Sequence, residues 1–299
     1  ACDNVGNTWI GTNHGGLFRY GGTSWTNYMP GNSGLPDQNV YAIAIDPVGV
    51  KWIGTYGGGL AKYDGVSWTV YDMSNSGLQH PSVYSISIDA NGVKWIGTFG
   101  GVARFDGTNW TTFSTSNSNL PSNLVRSVAI DLSGSVWVGT TAGLAKYDGI
   151  NWTVFTTANS GLPDNHVRAL ALDADGMIWI GTTQGLAKYD GTNWTVYNTS
   201  NSGLQNNYVT AIAIDGAGVR YIGTAQGGLA RFEGTNKWNA YHLGNTGLPH
   251  NIIRSLALQN NAFLWIGTFV GLAKYDISVV SVKEVSPHTA FVSQNYPNP

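Results

Sequence analysis

The stretch "VYAIAIDPVGVKWIGTYGGGLAKYDGVSWTVY", residues 40–71, contains four short runs of β-branched, aromatic and small residues, separated by DPVG, YGGG and DGVS. Each run has strand length, and each separator carries the Gly, Asp or Pro that turns a chain. In the first run Ala42 and Ala44 alternate with Ile43 and Ile45. A strand built this way is small on one face and bulky on the other, which suits burial between two neighbours. In DPVG the Asp side chain can accept bonds from the amides ahead, while Gly supplies the positive φ that closes the turn. Asp64-Gly65 is a strong hairpin cue between the last two runs.

The stretch recurs along the chain. Trp52-Ile-Gly-Thr55 has counterparts starting at Trp9, Trp95, Trp137, Trp179, Tyr221 and Trp265, at spacings of 43, 43, 42, 42, 42 and 44 residues. Four strands in a period of about 40 to 45 residues predict a β-propeller blade, a sheet that cannot bury its own faces and relies on radial repetition for neighbours. The expected fold is therefore all-β: a seven-bladed β-propeller with four antiparallel strands per blade over residues 1–285, then a linker or the start of a further domain over 286–299. A solenoid or a pair of sandwiches is the alternative, but either would need capping repeats, and neither end carries one. The termini break the pattern. Aligning Asp3 with Asp46 makes Ala1 and Cys2 the end of a first strand, and the last period lacks its Trp-bearing fourth strand. The expectation is that residues 279–285 form that fourth strand, and that blade one lacks its first strand or borrows one from the C-terminal tail.

Composition narrows the function classes. Charged residues make up 11% of 299, and the formal net charge is −2. That leaves no broad basic field for nucleic acid. Cys2, the one cysteine, excludes an internal disulfide and a multi-thiolate zinc site. No apolar run is long enough to span a bilayer, so no transmembrane segment is expected, and the chain starts at Ala1 without a signal-peptide pattern. It reads as a soluble, already processed chain.

Most motifs have a structural reading. The two Trp positions per repeat suit sugar stacking in principle, but their constant register points to packing between blades. Arg19, Lys62, Arg104, Lys146, Lys188, Arg231 and Lys274 place one cation on every third strand, where pairing with the hairpin acids Asp64, Asp106, Asp148, Asp190 and Glu233 is expected. Asp173 and Asp175 lack the closing Glu of a calcium loop and read as a turn. The Gly pairs of YGGG and FGGV lack the Lys-Ser/Thr of a phosphate loop. The six His residues show neither H-E-x-x-H nor a paired metal spacing, and G-x-S-x-G is absent. No enzyme, metal or cofactor is called for.

The pattern V..I..D..G..WIGT..GL..YDG..W..Y closely resembles the two-component-regulator propeller repeat, found in ectodomains of bacterial hybrid sensor kinases and in secreted proteins. The resemblance runs from about Ala1 to Asp276. The final "FVSQNYPNP", residues 291–299, resembles the opening of the C-terminal sorting domain that directs bacterial proteins through type IX secretion. A Pro-capped linker is the plainer reading of the same nine residues.

Residues constant in every blade are accounted for by packing and turns, so a site should lie where blades differ. In a propeller, the connection into each first strand and the loop between second and third strands share one face, around one channel mouth. There Tyr41, Tyr84, Arg126, Arg168, Thr210 and Arg254 are equivalent and unlike. Nearby variable positions are His14, Tyr56 and Phe99 in second-to-third loops, and His80, His166, Tyr208 and His250 before first strands. The expectation is a ligand mouth in which Tyr and Phe stack on an extracellular sugar or peptide and the three Arg pair with carboxylate or sulfate; drift at loop tips is the alternative. The leading reading is a secreted or cell-surface binding or adhesion module, partnered by the secretion machinery through its C-terminal signal. A ligand-sensing ectodomain of a two-component receptor comes second, and a polysaccharide-active or lyase-type enzyme third.

Overall fold

The computed structural model describes residues 1–277. Among them the chain forms seven consecutive antiparallel sheets, each built from strands adjacent in sequence. The protein is all-β, with the blade complement of a seven-bladed β-propeller. Blades two to six show all four strands; blades one and seven show three each among the described residues. The expected fourth strand of blade seven at 279–285, and any strand borrowed from the tail, fall outside the described residues. Ala1 pairs with Trp9 in both directions (Trp9 N to Ala1 O, 2.7 Å; Ala1 N to Trp9 O, 2.9 Å), so the start of the chain supplies the end of blade one's first strand.

Blade two shows how one repeat holds together. Its strands are Val40–Ile45, Lys51–Thr55, Leu60–Tyr63 and Trp68–Tyr71. At the first turn Asp46 Oδ1 accepts the Val50 amide at 2.9 Å, and its Oδ2 accepts the Trp52 indole N–H at 3.2 Å. One carboxylate thus closes the turn and fixes the core tryptophan six residues on. The same clamp recurs from Asp3 to Trp9, Asp131 to Trp137 and Asp173 to Trp179, while Asp215 takes a tyrosine hydroxyl from Tyr221 and Gln259 replaces the acid at Trp265. The Thr of WIGT closes the next hairpin, with Thr55 Oγ1 donating to the Gly59 carbonyl at 2.9 Å.

Between blades the small and bulky faces meet. The chain divides into two compact units, residues 1–155 and 156–299. In the first unit, Trp9 and Leu17 of blade one pack on Ile43, Ile45 and Ile53 of blade two, and Trp52 and Ala44 of blade two pack on Ile86, Ile88 and Ile96 of blade three. In the second, Trp179 and Leu186 meet Ile212, Ile214 and Ile222, and Tyr221 and Ala213 meet Leu256 and Leu258. The Gly of WIGT permits the approach: a Cβ on Gly54 would stand 2.5 Å from Val83 Cγ1 of the next blade.

The tryptophans are packing residues. Second-strand Trp rings stack on fourth-strand aromatics, as Trp52 does on Tyr71 at 6.1 Å, and fourth-strand Trp rings stack on third-strand aromatics, as Trp68 does on Tyr63 at 4.4 Å. Among the described residues the third-strand cations follow expectation only at the two arginines that pair with their hairpin acids. Arg104 reaches Asp106 at 3.6 Å and Arg231 reaches Glu233 at 2.6 Å, but Lys62, Lys146 and Lys274 lie 6.0, 5.0 and 5.3 Å from the rings of Trp52, Trp137 and Trp265. The register explains this, since each Lys sits directly opposite its Trp on the neighbouring strand. The hairpin acids are meanwhile occupied: Asp64 Oδ1 accepts the Val66 and Ser67 amides at 2.8 and 2.7 Å, and these bonds hold its carboxyl below the usual range.

Candidate functional site: a bulged column of unlike side chains

Every first strand from blade two to blade seven carries a register shift near its start. In blade two Val40 pairs with Thr55 and Ala42 with Gly54, leaving Tyr41 as the extra residue of a β-bulge. Tyr84, Arg126, Arg168, Thr210 and Arg254 are the extra residues of the corresponding bulges. All six of these unlike first-strand positions are therefore bulged. Bulges re-aim a side chain and commonly sit next to active sites. The residue just before each bulge is buried, from Val40 through Val83, Val125, Val167 and Val209 to Ile253.

The connection leading into each bulge is held by its own bonds. Ser33 Oγ donates to the Met29 carbonyl at 2.7 Å, and Leu35 is buried beneath. A Cβ on Gly34 would collide with Trp68 of the blade that follows, which accounts for the Gly of "NSGLP". A turn cap comes next. His80 Nδ1 accepts the Ser82 amide at 3.1 Å, as Asp37 Oδ1 accepts Asn39 and Asn206 Oδ1 accepts Tyr208 in sister blades. His250 Nδ1 does the same for Ile252 at 2.9 Å. These two histidines thus occupy the Asp/Asn capping position.

In the first unit the column gathers into one cluster. Ring centroids run from Tyr56 to Tyr41 (5.6 Å), Tyr41 to Tyr84 (5.1 Å), Tyr84 to Phe99 (4.3 Å, interplanar 15°) and Phe99 to His80 (5.6 Å). The Arg126 guanidinium carbon lies 4.8 Å from the centroids of both Tyr84 and Phe99. Tyr41 and Tyr56 are the open end of the run, 42% and 47% exposed. Burial raises the Tyr84 phenol above its ordinary pKa, with Arg126 pulling the other way. Ser82 Oγ donates to the Tyr56 carbonyl, tying this loop to the connection that bears His80.

Two smaller groupings occupy the second unit. Arg168 lies 5.4 Å from the Tyr208 ring, and Arg254 lies 5.4 Å from Phe269, whose other neighbour is His250 at 5.7 Å. Thr210 Oγ1 is spent on the Ile253 carbonyl at 2.7 Å. His166 donates its amide to Asp164 Oδ1 at 2.7 Å in the connection before Arg168. His14, exposed at φ +68°, donates its amide to Asn39 Oδ1 at 2.9 Å, and no ring contact joins it to the cluster among the described residues. Phe269, 60% exposed, was missed from sequence. It follows Thr268 as Phe99 follows Thr98 and Tyr56 follows Thr55, so carrying that column through to the last repeat would have found it.

Chemically, the cluster presents ring faces, phenol hydroxyls and a guanidinium. Among the described residues no group of three or more His, Cys, Asp or Glu converges to hold a metal ion, and no helix is long and apolar enough to cross a membrane.

A family model described as "Two component regulator propeller" matches residues 161–184, the connection and first two strands of blade five. No curated protein matches the chain. Among solved structures the chain is similar to an extracellular domain assigned to the hybrid two component system BT3049 of B. thetaiotaomicron, at 24% identity and TM-score 0.83, covering 94% of this chain and 39% of that one. It is similar to PorZ, a bacterial surface component of the type-IX secretion system of Porphyromonas gingivalis, at 19% identity and TM-score 0.71, covering 90% and 45%. It is also similar to virginiamycin B lyase from Staphylococcus aureus, at 14% identity and TM-score 0.72, covering 90% of both chains. The chain thus spans less than half the length of the first two, and what it shares with all three is the fold.

Proposed function

We propose that the chain is a ligand-recognition propeller serving as part of an extracellular sensing domain, with the bulged column as its recognition surface. One observation carries the reading. The side chains that differ from blade to blade stand at one end of the sheets, and in the first unit the bulged Tyr41 and Tyr84 join the loop residues Tyr56, Phe99 and His80 in a run of five rings beside Arg126. The likeness to the BT3049 extracellular domain favours sensing over a free-standing adhesion module. Binding is favoured over catalysis because the acceptor nitrogens of His80 and His250 already hold backbone amides. Residues 291–299, with their resemblance to a sorting signal, belong to the same reading of a chain outside the cell.

The test is a thermal-shift screen of the chain against extracellular oligosaccharides and peptides. A ligand that raises the melting temperature should lose its effect on a Tyr41→Ala, Tyr56→Ala double variant whose own melting temperature is unchanged. Ligands that bind this variant and an Arg126→Gln variant at full strength would remove the column from recognition.

A further inference from the structure

We propose that the cluster around Arg126 is an oxyanion seat, taking the carboxylate or sulfate head of a ligand whose flat or apolar body lies on Tyr41 and Tyr56. This rests on the bulged column being the recognition surface. Three other arginines of the chain hold carboxylates: Arg104 with Asp106 at 3.6 Å, Arg220 with Asp173 at 3.1 Å and Arg231 with Glu233 at 2.6 Å. Arg126 has no such partner among the described residues, and its guanidinium instead lies against the rings of Tyr84 and Phe99. Its Nε is buried without a hydrogen-bond partner. That leaves the terminal Nη1/Nη2 edge as the one an outside acceptor can reach.

A guanidinium held on aromatic rings keeps its in-plane N–H donors, which match the two oxygens of a carboxylate or sulfate. The rings also exclude water from one side, which strengthens a charge-assisted bond on the other. The phenols of Tyr41 and Tyr56 lie along the same run and add hydroxyl donors, while that of Tyr84 is engaged with Arg126. Asp37, the capping acid before Tyr41, is already engaged by the backbone and side-chain nitrogens of Asn39 at 2.6 and 3.0 Å. A cationic ligand would meet Arg126 where a cation–π partner should sit. A neutral one would cover the guanidinium and leave its charge uncompensated.

Isothermal titration of the full chain with benzoate, phenyl sulfate and benzamide tests the assignment. At least one anion should bind about tenfold or more tighter than benzamide, the margin a hydrogen bond to a charged group gives. Arg126→Gln should erase that margin, Arg126→Lys should keep part of it, and Arg104→Gln, which removes only the third-strand pair with Asp106, should leave it unchanged. Binding of both anions would mark a general oxyanion seat, and binding of one would show which head group it selects. Equal binding of all three probes, weakened alike by Tyr41→Ala, would overturn the anion assignment while leaving the recognition surface in place. Failure of all three to bind would overturn the seat, with the surface still judged by its own screen. An anion preference that survives Arg126→Gln in a variant of wild-type melting temperature would also overturn it.

Discussion

Three glycines of blade two separate the effects that make a repeat specific, and replacing each with alanine gives a graded prediction. Gly49 closes the first turn at φ +86° with nothing within 4 Å of an added Cβ. Gly49→Ala therefore adds only backbone strain, about 1–2 kcal/mol for an L residue held in the left-handed region. Gly54 has no positive φ, but its Cβ would stand 2.5 Å from Val83 Cγ1, 2.9 Å from Val83 Cβ and 3.0 Å from Val83 O. Val83 is fully buried and stiff at χ1, so the blade interface has to open. The cost belongs near the top of the overpacking range, about 3 kcal/mol. Gly59 combines both problems, with φ +80° and a Cβ that would collide with the Tyr71 carbonyl oxygen. That oxygen belongs to the strand paired through Leu60 and Tyr71. The strain and the clash add to roughly 4–5 kcal/mol.

Urea unfolding followed by both tryptophan fluorescence and far-UV circular dichroism measures the series. The midpoints should fall in the order wild type, Gly49→Ala, Gly54→Ala, Gly59→Ala, with equal slopes. A neutral Gly54→Ala would mean that neighbouring blades do not press on each other through this glycine. Equal losses at Gly49 and Gly59 would mean that the second-to-third hairpin is not seated against the fourth strand.

Two further predictions concern single groups. Asp173 is almost wholly buried; it accepts the Trp179 indole and Arg220 Nη2, both at 3.1 Å, and the Met177 amide at 3.0 Å. Burial alone would raise its carboxyl, but these donors together hold it below its ordinary value. Its stabilisation is complete above the unfolded carboxylate pKa of about 3.9 and is lost as pH falls through the lower folded value. Asp173→Asn should cost about 3–5 kcal/mol at pH 7, a penalty that shrinks in strong acid; a pH-independent penalty in urea titrations would contradict the pairing. His80→Asn should keep the turn cap, since Asn206 performs the same role at 3.0 Å in blade six, whereas His80→Ala should lose about 0.5–1.5 kcal/mol. Equal melting temperatures for the two variants would show that the Ser82 amide does not depend on this acceptor.

The fold was legible because its determinants are local and repeated. Asp-x-x-Gly turns, Asp-Gly hairpins and the small/bulky alternation of "AIAI" are read within a few residues, and seven copies average out any one misreading. The clamp from Asp46 to the Trp52 indole was not legible, because it joins a turn residue to a core ring across a hairpin that sequence spacing alone does not close. The third-strand lysines were misassigned for a related reason. Proximity in sequence pointed to the hairpin acids, while the cross-strand register set each Lys opposite a Trp. The site was legible as a column of differing residues but not as a cluster. Which rings meet depends on the bulges, and "VYAIAID" read as an ideal strand carries no sign of one.

The bulge supplies a physical reason why side chains can vary over a constant frame. An ordinary strand residue faces a cross-strand partner, so changing Ile43 disturbs Ile53, and changing Ala44 disturbs Trp52. A bulged residue has no such partner, and the contact that matters to the blade interface is made by its buried neighbour, Val83 against Gly54 or Val125 against Gly97. Tyr, Arg and Thr can therefore exchange at positions 41, 84, 126, 168, 210 and 254 without touching the packing that sets the distance between blades. The same separation accounts for the contrast between the units. Tyrosines on adjacent blades two and three, extended by Tyr56 and Phe99, produce a continuous run that an arginine on blade four closes. In the second unit blade six instead carries a threonine that turns back to its neighbour's backbone, and the rings there form two separate groupings.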